Sequence, residues 1–219
     1  MNKRDSLLIR MFAIASLACL FMITLRITFY GSTRYIFLVW NLFLAWIPFL
    51  ISLLLSSSEA RKRNKFLVSG ILLSWLLFFP NSPYIVTDLI HLKLQSKAPI
   101  WFDSLLVILF AWTGLMLGFC SLYKVHVFIE KYFSRYVCWG LILSVIVLCG
   151  YGIYLGRFER WNSWDVVTDT GALFSEIGNH IIHPFRHISV LIISMLFTSF
   201  LFIGYLTTFT LIRAGNHEE

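Results

Sequence analysis

Residues 75–94 read "WLLFFPNSPYIVTDLIHLKL", and the parsing of this stretch decides the fold. An apolar run meets Pro-Asn-Ser-Pro and then resumes with Asp88 and His91 inside it. Pro80 and Pro83 each lack an N–H, and each ring clashes with the preceding turn, so a single regular helix through both is unfavourable. The pattern predicts a helix ending near Phe79 and a short one starting at Pro83. Asn81 or Ser82 would be its N-cap and Pro83 its first helical residue. On that second helix Tyr84, Asp88, His91 and Gln95 form one polar stripe, with Ile85, Val86, Leu89, Ile90 and Leu92 covering the rest. Such a helix is too apolar for open water. It fits an interfacial or re-entrant segment whose seam faces protein or trapped water; a seam facing the outer aqueous surface is the alternative. Asp88 and His91 are close enough on a helix to hydrogen-bond and fix the imidazole tautomer. An ionisable group at membrane depth is costly unless it is paired or used.

The rest of the chain sets this stretch in a membrane. Its 219 residues are 58% hydrophobic and only 13% charged, with a mean hydropathy of +0.78. Soluble domains carry about a quarter charged residues. Six segments are long and apolar enough, or nearly so, to cross a bilayer: 7–29, 35–55, 64–79, 104–127, 136–155 and 188–212. The expected fold is therefore all-α, a polytopic bundle forming one integral membrane domain over 1–219, without repeats or an interdomain linker. The start, "MNKRDSLLIRMFAIASLACLF", resembles a signal peptide, and "SLAC" a lipoprotein cleavage box. The apolar run continues past Cys19, so it reads as an uncleaved first membrane helix.

Charge gives orientation. The net charge is +7, and no Lys/Arg run is interleaved with aromatics as a nucleic-acid surface would be. Lys3, Arg4 and Arg10, the "RKRNK" run at 61–65, Lys124, Lys131, Arg135 and Arg213 fall on one side. The positive-inside rule makes that side, with both termini, cytoplasmic. The longest connections, 80–103 and 156–187, then share the outer side. The depth of the proline break depends on where the third helix begins. A start near Arg61 puts the break at the interface. A start at Phe66 leaves about 21 Å of helix before Pro80 and submerges it.

The second outer connection has its own chemistry. "GIYLGRFERWNSWD" (152–165) places Arg157 and Arg160 at a helix end beside Trp161 and Trp164, residues suited to the headgroup level. Asn162 or Ser163 can cap a turn containing Asp165. "DTGALFSEIGNHII" (169–182) reads as an amphipathic surface helix. Interface anchoring alone accounts for such arginines and tryptophans. With a helix start at Pro83 on the same side, they also make an anion site. "HIIHPFRH" (180–187) suggests a metal through His183 and His187 with Asp88 or Asp165, but there is no HExxH and no thiolate partner. No metal and no other cofactor is expected. Cys19, Cys120, Cys138 and Cys149 lie in apolar runs without a CxxC and read as small buried hydrophobes. "GLMLG" (Gly114, Gly118), extended by Ala111 and Ser121, and "GIYLG" (Gly152, Gly156) offer close-packing faces and hint that the fourth and fifth helices touch.

"FFPNSPYIVTDLIHL", "GLMLG", "GIYLGRFERWNSWD" and the "HP" before the last helix, in that order, resemble the bacterial membrane proteins grouped as domain-of-unknown-function family 1361. The resemblance runs from about Trp40 to the end of the last helix. It implies a polytopic bacterial membrane protein and supplies no activity.

The combined expectation is a composite outer-face site. Arg157 and Arg160 hold an anionic, lipid-linked group, and Asp88 and His91 transfer a proton. Asn81, Tyr84 and Asn162 position the substrate, and Asp165 orients a partner group. That describes an envelope enzyme or accessory subunit. A small transporter, with substrate at a broken helix, and a non-catalytic assembly partner of another membrane protein are the alternatives.

Overall fold

The computed structural model describes residues 3–56, 64–92, 97–161, 164–183 and 185–215, and no strand occurs among them. The long helices are α1 (Lys3–Tyr30), α2 (Phe37–Ser56), α3 (Lys65–Phe78), α5 (Ile100–Ile129), α6 (Arg135–Tyr154) and α9 (Ile188–Gly215). Between them lie α4 (Asn81–Tyr84), α7 (Asp165–Thr168) and α8 (Thr170–Ile182). With α3 extended through His91 and α6 through Glu159, six helical segments among the described residues are long and apolar enough to cross a membrane. The protein is a multi-pass membrane protein of all-α fold. The chain divides into two compact units, Met1–Phe128 and Ile129–Glu219.

In the first unit α1 runs antiparallel to α5, and polar contacts fix the register. The Asp5 carboxylate pairs with Lys124. Cys19 Sγ lies 3.6 Å from Thr113 Oγ1. Arg26 Nε donates to Asp103 Oδ1 at 2.7 Å and its Nη2 to Oδ2 at 3.2 Å. The Arg26 and Asp103 side chains are almost completely buried. This Arg26 fork is completed by the Ser32 carbonyl, 2.8 Å from Nη1, and by the Tyr35 ring, 4.6 Å below the guanidinium. From Asp5 to Arg26 the helix rises about 32 Å, close to the roughly 30 Å of a bilayer's hydrocarbon core. The opposite face of α1 carries exposed Leu7, Met11, Ile14, Leu17 and Phe21, the stripe that meets lipid.

The proline break differs from its sequence reading. Asn64 caps α3, its side chain accepting from Phe66 N, so the helix rises only about 21 Å before Pro80. That is short of the hydrocarbon core, and the segment reaches a crossing length only with the residues through His91, so the break lies inside the apolar span. α3 ends at Phe78, where the sequence reading places its end, but the short α4 begins at Asn81, with Pro80 in the N-cap position, rather than at Pro83. Phe79, Pro80, Tyr84 and Ile85 all keep right-handed helical φ/ψ, and Ile85–His91 continues as a 3-10 helix. Asn81 is not an N-cap; its Nδ2 donates back to the Phe78 carbonyl at 3.0 Å. Ser82 Oγ instead donates to Ala45 O at 3.0 Å, in the stretch of α2 just before its internal Pro48. The physical reason is that each proline deletes one i→i−4 bond without forcing φ out of the helical range. The chain kinks at this break, resumes as α4 and then tightens into the 3-10 segment.

Gly114 and Gly118 of α5 pack on this kink. A Cβ built at Gly114 would lie 2.7 Å from Ile85 Cδ1 and 2.9 Å from Ser82 O, and one at Gly118 3.0 Å from Ser82 Cβ. Trp75 Nε1 donates to Ser121 Oγ at 2.6 Å one turn further along. The small-residue face read from "GLMLG" thus receives the broken helix.

In the second unit α6 packs along α9. Gly150 makes the close approach, where a Cβ would meet Thr198 Oγ1 at 2.5 Å and Ser194 O at 2.7 Å. Trp139 stacks edge-on against Phe209, their centroids 4.9 Å apart. Arg213 pairs with Glu130. Beyond Tyr154 the helix widens into one π turn, Leu155–Glu159, closed by Trp161 N donating to Leu155 O at 3.1 Å. Arg160 ends it with φ +65°.

Candidate functional site

The residues singled out from the sequence fall in both units. In the first, the 3-10 winding turns Asp88 inward beneath Ile85, three residues before it, and both are buried. Asp88 is 1% exposed and accepts from Asn41 Nδ2 of α2 at 2.7 Å. Leu89, Ile90 and His91 are the exposed residues of this segment. At Asp88, therefore, the seam faces protein. His91 lies at the exposed end, its ring edge-on to Phe37 at 5.4 Å between centroids and its carbonyl accepting from Tyr35 Oη at 3.2 Å. Burial raises the Tyr35 phenol pKa above its ordinary value, with Asp103 adding to the rise and Arg34 and Arg26 opposing it. Asn81 and Tyr84 are half-buried on the kink. The backbone donors expected to cradle an anion there are occupied: Ser82 N donates to Phe79 O and Tyr84 N to Pro80 O. Gln95 lies outside the described residues.

In the second unit the π turn carries Arg157, half-buried, and Arg160, exposed. Asn162 lies outside the described residues. Asp165 opens α7 and accepts from Thr168 Oγ1 at 3.2 Å. His183 is exposed, and the His187 ring stands against that of His180 with centroids 4.7 Å apart.

Sequence reasoning passed over the polar cluster at the end of α6. Tyr151 Oη and His180 Nδ1 share a hydrogen bond of 3.0 Å. Tyr154 Oη donates to Glu159 Oε1 at 3.0 Å. His180 Nε2 lies 3.4 Å from Glu176 Oε1, one turn back on α8. One ligand-capable atom each from Glu159, Glu176 and His180 lie within 4.8 Å of one another. His180 is 6% exposed, under the side of α8 that packs Leu173 and Ile177 onto Tyr151 and Tyr154. The Glu176/His180 spacing of four was a readable signal. Glu159 was not, because only the π turn brings it back over Tyr154.

No curated protein and no solved structure shows a significant match to the chain. Residues 40–204 match the family model described as protein of unknown function (DUF1361), and the chain belongs to that family.

Proposed function

We propose that this is a protein of the bacterial cytoplasmic membrane, both termini cytoplasmic, that handles an anionic, lipid-linked group at the outer face as an envelope enzyme or accessory subunit. The observation that carries the reading is the end of α6. Within one turn it offers the guanidiniums of Arg157 and Arg160 and the indole of Trp161, beside the polar cluster of Tyr151, Glu159, Glu176 and His180. Guanidinium forks suit phosphate and carboxylate oxygens, and an aromatic at the headgroup level leaves the lipid tail in the bilayer. The positive-inside distribution supports the sidedness.

The test is retention of a polyprenyl phosphate by the purified protein in native mass spectrometry, against the neutral polyprenol and inorganic phosphate. The reading expects preference for the lipid phosphate, and its loss in Arg157→Gln and Arg160→Gly. Glycine adopts the positive φ at 160 without strain, so loss there is not loss of fold. Equal retention of the alcohol, or unchanged retention in both variants, overturns it.

A second reading, a small transporter, is favoured by one observation: a helix break inside an apolar span, followed by a buried carboxylate, Asp88, held by Asn41. Transporters bind substrate and coupling ions at such discontinuities. It expects proton- or sodium-dependent uptake that Asp88→Asn abolishes at normal protein level. Normal complementation by Asp88→Asn removes it.

A further inference from the structure

We propose that Glu159, Glu176 and His180 bind a divalent transition-metal cation of the zinc, manganese or iron(II) class. The inference concerns the same end of α6 as the reading above but does not depend on it, since a cation would bind there whatever the substrate.

Three observations converge. The first is donor chemistry: two carboxylates and one imidazole are hard-to-borderline ligands that suit these metals. The second is spacing. Ligand atoms around a tetrahedral cation at about 2.1 Å lie roughly 3.4 Å apart, and His180 Nε2 is 3.4 Å from Glu176 Oε1. All three donors fall within 4.8 Å.

The third is the histidine itself. Its Nε2 is buried and has no hydrogen-bond partner among the described residues, although the ring is fixed from its other side by Tyr151. If Nδ1–H donates to the Tyr151 oxygen, the Nε2 lone pair faces a carboxylate oxygen, an arrangement repulsive without a cation between them. That is also the orientation in which a metal-ligating histidine is held by its outer hydrogen bond. Tyr154, donating to Glu159, holds a carboxylate in the same way.

The π turn is the device that builds the site. An α-helical continuation would carry Glu159 round the helix away from Tyr154. The extra residue per turn brings it back, and π turns concentrate at functional positions. Three protein ligands leave a coordination position open to water or to an oxyanion.

The test uses full-length protein in detergent, purified without a polyhistidine tag, stripped by chelator and reloaded with Zn²⁺, Mn²⁺ or Co²⁺. Bound metal is read by elemental analysis and, for Co²⁺, by its visible absorption. The proposal expects near-stoichiometric retention. It expects affinity about tenfold or more weaker in Glu159→Gln and His180→Ala, and a smaller loss in Tyr151→Phe, whose role is orientation. Glu159 is exposed, so its amide variant tests the ligand set even where the buried His180→Ala variant fails to fold. Retention unchanged in Glu159→Gln, or no retention above a Glu159→Gln/Glu176→Gln variant, overturns the site. A protein that holds metal but not polyprenyl phosphate keeps this inference and discards the substrate reading.

Discussion

Replacing Arg26 by Met leaves the Asp103 carboxylate buried without its guanidinium, and breaking a buried ion pair costs about 3–5 kcal/mol. Unfolding in mixed micelles should show a loss of that order, with much of it recovered when Asp103→Leu is added. An equal loss in single and double variants would mean that packing, not charge, holds this corner. At Tyr35 the sign of the pH effect follows from its raised pKa. The contribution is present below the unfolded value of about 10 and is lost as pH rises through the higher folded value. Tyr35→Phe should remove that alkaline loss while costing about 1 kcal/mol near neutrality for its hydrogen bond to the His91 carbonyl. Sequence named Asp88 but not Asn41, and did not pair Arg26 with Asp103, because periodicity reports faces and says nothing of which polar residue meets which.

Among the elements, close approach is the testable quantity. Gly114→Ala and Gly150→Ala each push a methyl into backbone oxygen as well as side chain, and overpacking of this kind costs roughly 1–3 kcal/mol. Gly140 has open space around its Cβ position, so Gly140→Ala should be neutral or stabilising by up to about 1 kcal/mol. Thermal unfolding of the three variants checks the ranking, and an equal effect at all three would remove the packing argument. The long helices were legible because about 20 apolar residues admit little else in lipid. The kink was legible only as a break. Whether Pro80 and Pro83 end a helix or merely tighten it depends on the α2 carbonyl that receives Ser82 and on the glycines that make room, and neither lies in the local pattern. The π turn was invisible for a similar reason, since one extra residue in a turn leaves no compositional trace.

For the whole molecule, the sidedness proposal makes a direct prediction. Thr168→Cys, on an exposed position of α7, should react with an impermeant maleimide in intact cells, and Asn64→Cys, at the start of α3, only after permeabilisation. Cys19, Cys138 and Cys149 are buried, and replacing the half-buried Cys120 by Ser leaves a low background. The reverse pattern would invert the topology and move the end of α6 to the cytoplasm. Burial explains why the helices carried so little amphipathic signal. In α1 the outward face is the apolar one and the inward face holds Asp5, Cys19 and Arg26, so both sides look greasy apart from a few isolated polar residues.

The two ion pairs that join α1 to α5 act as stops at either end of a rod. Neither helix can slip along the other without breaking one of them, so the apolar height between Asp5 and Arg26 is fixed. In a thinner bilayer that rod must tilt as a body or thicken the lipid around it, at a fraction of a kcal/mol per Å of mismatch. The spacing of the two pairs thereby sets the bilayer thickness at which this helix pair stands without tilting.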